Sequence, residues 1–207
     1  MFTTCLQRVS RQVTASLKNH DFPFRLWIGI LSTDGAVNAI ASGALDRVTF
    51  ALREAGVPSH EWVKILKSSG AIHAIAGDKF PDVVNALSVS VIRKDQWGWI
   101  LSKDGVVNSI IANRLPTVLN HLRDNGVPES AFAHIISARG NMNHLFLDAH
   151  NRSGKLAKMI GVFQDHNIPQ DRWGTILGRE GAFSSLSQNK IPKRMTDVMN
   201  QMNKKKK

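Results

Sequence analysis

Residues 57–91 read VPSHEWVKILKSSGAIHAIAGDKFPDVVNALSVSV, and the order of apolar, glycine and proline positions in this stretch returns along the chain. With Val57 as place one, the equivalent residues are Phe22, Ile92, Val127 and Ile168, which bound repeats at 22–56, 57–91, 92–126, 127–167 and 168–201. The first four starts are 35 residues apart and the last step is 41, so the fourth repeat carries a six-residue insertion. Place six is Trp27, Trp62, Trp97, Phe132 and Trp173; place nine is Ile30, Ile65, Ile100, Ile135 and Ile176; place fourteen is Gly35, Gly70, Gly105, Gly140 and Gly181. Place ten (Leu31, Leu66, Leu101, Ile136, Leu177) and place nineteen (Ile40, Ile75, Ile110, Leu145, Leu186) are apolar throughout. A period of this length marks a chain in which one repeat cannot bury its own apolar face and does so against its neighbours. The expected fold is an all-α, right-handed superhelical solenoid of about five helix-loop-helix repeats.

Within a repeat, places three to eleven read as a helix, because Pro58 and Pro128 suit a helix start and Trp62, Ile65 and Leu66 share one face at i, i+3 and i+4. The glycine at place fourteen is expected to stop that helix by adopting left-handed backbone angles, opening a loop of about three residues. A second helix is expected from near place fifteen, kinked or broken where SGA, GDK, ANR and QNK interrupt it and Pro81, Pro116 and Pro192 follow. Residues 1–21 place Leu17 where Leu52 and Leu122 stand later, and read as an N-terminal capping half-repeat. The insertion lies in LDAHNRSGKL (147–156) and either lengthens the second helix or adds a loop. Residues 202–207, with lysine from Lys204 to Lys207, read as a basic tail.

The net charge is +11 over 207 residues, and the isoelectric point is near 10.2, which makes a polyanion the first partner to consider. The single cysteine, Cys5, excludes an intrachain disulfide and a cysteine-rich metal module. With no secretory signal and no membrane-spanning segment, an intracellular, membrane-free monomer is expected. His144, Asp148 and His150 cluster around the insertion, but no further fixed ligand or nucleophile pairing accompanies them, so no enzyme, metal, cofactor or small-molecule substrate is expected.

Places that vary against a fixed background are free to encode something. Place thirteen is Asp34, Ser69, Asp104, Arg139 and Glu180, and place twelve is Thr33, Ser68, Lys103, Ala138 and Arg179. Asp and Glu accept from cytosine N4, Arg donates to guanine O6 and N7, and Ser is permissive, which is what a major-groove reader presents. Exposed loops also collect such residues without function. Place seventeen (Asn38, His73, Asn108, Asn143, Ser184) puts short polar groups near a helix start, suited equally to phosphate contact and to capping. Place twenty-three is basic in four repeats, as Lys79, Arg114, Lys155 and Lys190, with Ala44 the exception.

On these residues the chain resembles the repeats of transcription activator-like effectors and divergent TALE-like DNA-binding proteins. In the second repeat the resemblance runs through Trp62 to Leu66, the pair Ser68 and Ser69, Gly70, Ala74 and Ile75, and Pro81, and it covers about residues 22–201. It implies double-stranded DNA as the partner, with Asp34, Ser69, Asp104, Arg139 and Glu180 as base readers and Thr33, Ser68, Lys103, Ala138 and Arg179 as loop braces. It also implies loop amides beside Gly35, Gly70, Gly105, Gly140 and Gly181 near phosphate; the basic set Lys79, Arg114, Lys155 and Lys190 is assigned to phosphate from its charge. The family's orientation makes the expected site C-N-C-G-C. The sequence departs from the family in repeat length and at the second loop glycine, replaced by Ala36, Ala71, Val106, Asn141 and Ala182. A single-stranded RNA reader and a protein-interaction solenoid are the alternatives, since 35-residue repeats serve both.

Overall fold

The structure, a computed structural model, describes residues 2–20, 22, 24–33 and 35–183. These are helical, with no strand among them. In chain order the helices are α1 (Phe2–Asn19), α2 (Phe24–Leu31), α3 (Ala36–Ala41), α4 (Ala44–Glu54), α5 (Ser59–Leu66), α6 (Ser69–Ala76) and α7 (Phe80–Ser88). They continue with α8 (Trp97–Leu101), α9 (Asp104–Ile111), α10 (Leu115–Asp124), α11 (Phe132–Ile136), α12 (Asn141–Asn151), α13 (Lys155–Asp165) and α14 (Gln170–Leu177). Short 3₁₀ turns, Lys94–Gln96 and Glu129–Ala131, lead into α8 and α11.

Each of the first four sequence repeats folds as three helices rather than two, because the expected second helix is broken. The break falls at place twenty-two, where Gly43, Asp78, Asn113 and Gly154 have φ of 75°, 53°, 54° and 68°. A left-handed residue ends the helical ladder, and Gly, Asn and Asp are the residues that adopt it at least cost; in the fourth repeat α12 already ends at left-handed Arg152, and Gly154 leads into α13. The third helix then starts beside Pro81 or Pro116, whose missing N–H falls where a helix start has no partner for it.

The passage into the next repeat is also built from local chemistry. At the ends of α4, α10 and α13, Gly56, Gly126 and Asn167 are left-handed. The place-one N–H of Val57, Val127 and Ile168 reaches back to the carbonyls of Leu52, Leu122 and Phe163 at 2.9, 3.1 and 2.8 Å. This six-to-one bond is the Schellman stop, with the apolar place-one residue packed back on the helix. The carbonyl of the same place-one residue is then taken by the tryptophan five residues on. Trp27, Trp62, Trp97 and Trp173 donate Nε1–H to Phe22, Val57, Ile92 and Ile168 at 2.8, 2.9, 3.2 and 3.0 Å. A buried indole needs a partner for its N–H, and this carbonyl supplies it. Phe132 fills the same place without a donor and is fully buried.

The chain divides into two compact units, Met1–Ile111 and Ala112–Lys207. In the first, like packs on like: α2 on α5 and α5 on α8, α3 on α6 and α6 on α9, and α4 on α7. Helix α1 packs on α3 as α4 packs on α6, and the Phe22 N–H meets the Leu17 carbonyl at 3.2 Å. In the second unit α11 packs on α14, and α10 and α13 on α12. The same places meet in both units. A Cβ on Gly98, at place seven, would strike Glu61 at place five of the preceding repeat, and one on Gly174 would press on Ala131 at the same pair of places. All five place-nine isoleucines are fully buried. Burying an aliphatic side chain of this size stabilises by roughly 1.5–3 kcal/mol relative to leaving it exposed.

The insertion lengthens the second helix. Helix α12 has 11 residues where α6 and α9 have 8, and Leu156 and Phe163 then return to buried places. Residues 184–201 and the tail at 202–207 lie outside the described residues, with them Ser184, Leu186, Lys190 and Pro192.

Candidate nucleic-acid interface

The turn that carries the variable pair is held by its backbone. In all five repeats the place-twelve N–H donates to the place-nine carbonyl: Thr33 to Ile30, Ser68 to Ile65, Lys103 to Ile100, Ala138 to Ile135 and Arg179 to Ile176. In four of them the place-twelve carbonyl accepts the place-fifteen N–H, at 3.1 Å for Ala36, 2.9 Å for Val106, 3.1 Å for Asn141 and 3.1 Å for Ala182. The second repeat instead uses the Ser68 hydroxyl, which caps α6 by accepting the Ala71 N–H at 3.3 Å. Thr33 adds a further side-chain bond, donating Oγ1–H to the Gly29 carbonyl at 3.2 Å. The bracing common to all five repeats passes through main-chain atoms, which explains why Lys103, Ala138 and Arg179 can stand where Thr or Ser does.

The glycine at place fourteen has two conformations, which corrects the expectation that it stops the first helix everywhere. Gly35, Gly140 and Gly181 are left-handed, with φ of 75°, 80° and 80°, and precede the second helix. Gly70 and Gly105 lie inside α6 and α9, so Ser69 and Asp104 are the first residues of a helix rather than loop residues.

Of the five variable place-thirteen residues, Asp34 lies outside the described residues. Ser69 is half-buried, whereas Arg139 and Glu180 are exposed at 88% and 70% of their side chains and meet at 3.7 Å between Nη1 and Oε1. Place thirteen of consecutive repeats thus shares one edge in the second unit. The place-seventeen residues Asn38, His73, Asn108 and Asn143 are all exposed, as are Lys79 and Lys155 at place twenty-three. Arg114 is half-buried, and its Nη1–H donates to the Asn143 Oδ1 at 3.0 Å.

Two polar features went unrecognised in the sequence. Asn141, standing where other repeats have Ala or Val, is 1% exposed and donates through Nδ2 to the Ile135 and Leu177 carbonyls at 2.8 and 2.7 Å, tying the ends of α11 and α14 together. Asp148 is 2% exposed and closes the insertion on itself. It accepts from the Lys155 and Leu156 N–H at 2.8 and 2.9 Å, from the Ser153 hydroxyl, and from His121 Nε2 at 2.8 Å. Burial pushes its carboxyl up, but these bonds from Ser153, Leu156, His121 and Lys155 together outweigh it and hold the group below the usual carboxylate range. The metal-like grouping of His144, Asp148 and His150 does not form, since both histidines are exposed while Asp148 is committed inward. Among the described residues no group of three or more His, Cys, Asp or Glu could hold a metal ion, and no helix is long and apolar enough to cross a membrane.

The geometry is thus a series of backbone-braced turns whose variable side chain points outward on the second unit, flanked by exposed amides and cations. In comparison with known proteins, no family model, curated protein or solved structure matches the chain.

Proposed function

We propose that the chain is a sequence-reading, duplex-DNA-binding protein. In this reading it is a right-handed superhelical solenoid of five repeats with residues 1–21 as a cap, of the TALE-like type that its sequence resembles. The observation that carries the reading is the pair Arg139 and Glu180, exposed on one edge with tips 3.7 Å apart. Side chains of consecutive repeats that reach each other can also reach consecutive base pairs, which rise by about 3.4 Å. Their ion pair does not oppose this. An exposed pair is worth about 0–1 kcal/mol, whereas a bidentate contact from Arg139 to guanine discriminates by about 1–3 kcal/mol. The net charge of +11 and the exposed Lys79 and Lys155 supply attraction to phosphate.

The test is selection from a random duplex library with the wild-type chain and with Arg139→Asp. The selected base is expected to change from G to C at the fourth position and nowhere else; an unchanged base, or a shift at every position, contradicts one-base-per-repeat reading. A gel shift comparing duplex DNA, single-stranded DNA and RNA separates this reading from the RNA alternative. A protein-interaction solenoid is the second reading, favoured by Phe24 and Ile28, both 77% exposed on α2.

A further inference from the structure

We infer that Arg114 is a preset phosphate clamp, with Asn143 and Phe146 as its positioning residues, so that the backbone of bound DNA is anchored at the boundary of the third and fourth repeats rather than evenly along the array. The inference rests on the duplex-DNA reading above and adds where the phosphates are held.

A chain of three contacts fixes the Arg114 guanidinium. One Nη1–H is spent on the Asn143 Oδ1 at 3.0 Å, and the guanidinium carbon stands 4.9 Å from the centre of the Phe146 ring. Phe146 is itself stacked on His150, with ring centres 5.8 Å apart and planes inclined by 12°. A ring beneath a guanidinium leaves its edge free, and the donors not used by Asn143 are the ones that match two phosphate oxygens. Arg114 forms no ion pair among the described residues, so no carboxylate competes for them.

This arrangement belongs to one repeat boundary alone. Place twenty is Ala41, Ala76, Ile111, Phe146 and Ser187, so only the fourth repeat offers an aromatic platform, and His150 comes from its insertion. Lys155 is the next basic residue at place twenty-three, and only its main-chain N–H is held, by Asp148. Lys79 and Lys155 are both exposed ammoniums on flexible stems. An unrestrained side chain loses rotamer freedom when it binds; a clamped one has already lost it, which favours Arg114 over Lys79 as a phosphate ligand.

The experiment is a fluorescence-anisotropy titration of a labelled, random-sequence duplex over a series of KCl concentrations, with the wild-type chain, Arg114→Gln, Lys79→Gln and Phe146→Leu. Circular dichroism and thermal unfolding check that each variant remains folded. Arg114→Gln is expected to weaken binding about tenfold, corresponding to the loss of one charge-assisted hydrogen bond, and more than Lys79→Gln does. The slope of log K against log salt should become shallower by about 0.9. Phe146→Leu keeps every charge, so its slope should match the wild type while affinity falls about two- to fivefold. Wild-type binding that Arg114→Gln weakens no more than Lys79→Gln, or that Phe146→Leu leaves unchanged, overturns the clamp alone. A wild-type chain that does not bind the duplex overturns the DNA reading and the clamp with it.

Discussion

Trp97 offers a way to separate the two jobs of place six, filling the seam and capping a carbonyl. Its side chain is 1% exposed and its Nε1–H meets the Ile92 carbonyl at 3.2 Å. Trp97→Phe keeps an aromatic ring in the seam, as Phe132 does naturally, but leaves the Ile92 carbonyl without its donor. The hydrogen bond is at the long end of the usual range, so its loss is worth about 1 kcal/mol, with up to about 1 kcal/mol more for the unpaired acceptor. Trp97→Ala removes the ring as well and leaves a cavity, at about 3–5 kcal/mol. Urea unfolding reads both. Taking a slope of about 2 kcal/mol per molar, the midpoint should fall by about 0.5–1 M for Trp97→Phe and about 1.5–2.5 M for Trp97→Ala. Repeat arrays can lose cooperativity, so the comparison holds where circular dichroism and tryptophan fluorescence give coincident transitions. An unchanged midpoint for Trp97→Phe would refute the carbonyl cap as a source of stability. A fall of under about 0.5 M for Trp97→Ala, about 1 kcal/mol at that slope, would refute the buried seam.

Asp148 should make the second unit acid-sensitive. Its folded carboxyl titrates below the unfolded one, so its contribution is complete above the ordinary carboxylate value of about 4 and disappears as pH falls through the folded value. Asp148→Asn should therefore be less stable than the wild type at pH 7, by roughly 1–3 kcal/mol, with the gap narrowing toward pH 3; a gap independent of pH in thermal unfolding contradicts this. The glycines at place fourteen should respond in opposite ways. Gly105 lies in α9 with open space where a Cβ would stand, so Gly105→Ala should stabilise by about 0.4–1 kcal/mol, whereas Gly140→Ala, at φ 80°, should cost about 1–2 kcal/mol. Thermal midpoints that move in the same direction would rule out two conformations at this place.

The apolar places were legible because burial leaves a mark on residue type. Place nine is isoleucine in every repeat and fully buried in every repeat. The break at place twenty-two was legible too, as Gly43, Asp78, Asn113 and Gly154, all left-handed, and Asn189, outside the described residues, but only when the triplets around it are aligned by place. The tryptophan bond was not, because its acceptor is a main-chain carbonyl that any residue provides. For the same reason the main-chain share of the bracing at place twelve left no mark on residue type: its N–H holds the turn in every repeat, while Thr33 and Ser68 add side-chain bonds. Neither Asn141 nor Asp148 was legible in its role. Asn141 read as a departure from a glycine and is a cross-brace between α11 and α14, while Asp148 read as part of a polar patch on the insertion and is the buried residue that closes it. A polar residue's partners come from elements distant in sequence, and periodicity carries no record of them.

The link between the tryptophan N–H and the carbonyl five residues before it bears on how the chain comes to be folded. The helix stop at Val57 and the bond from Trp62 both join residues five apart, so the corner between α4 and α5 is written in residues 52–62. Contacts so close in sequence cost little loop-closure entropy and form before distant ones. A chain emerging from the ribosome can set this corner before the helices that will cover it have been made, and the apolar faces that follow need only settle against a turn already in place.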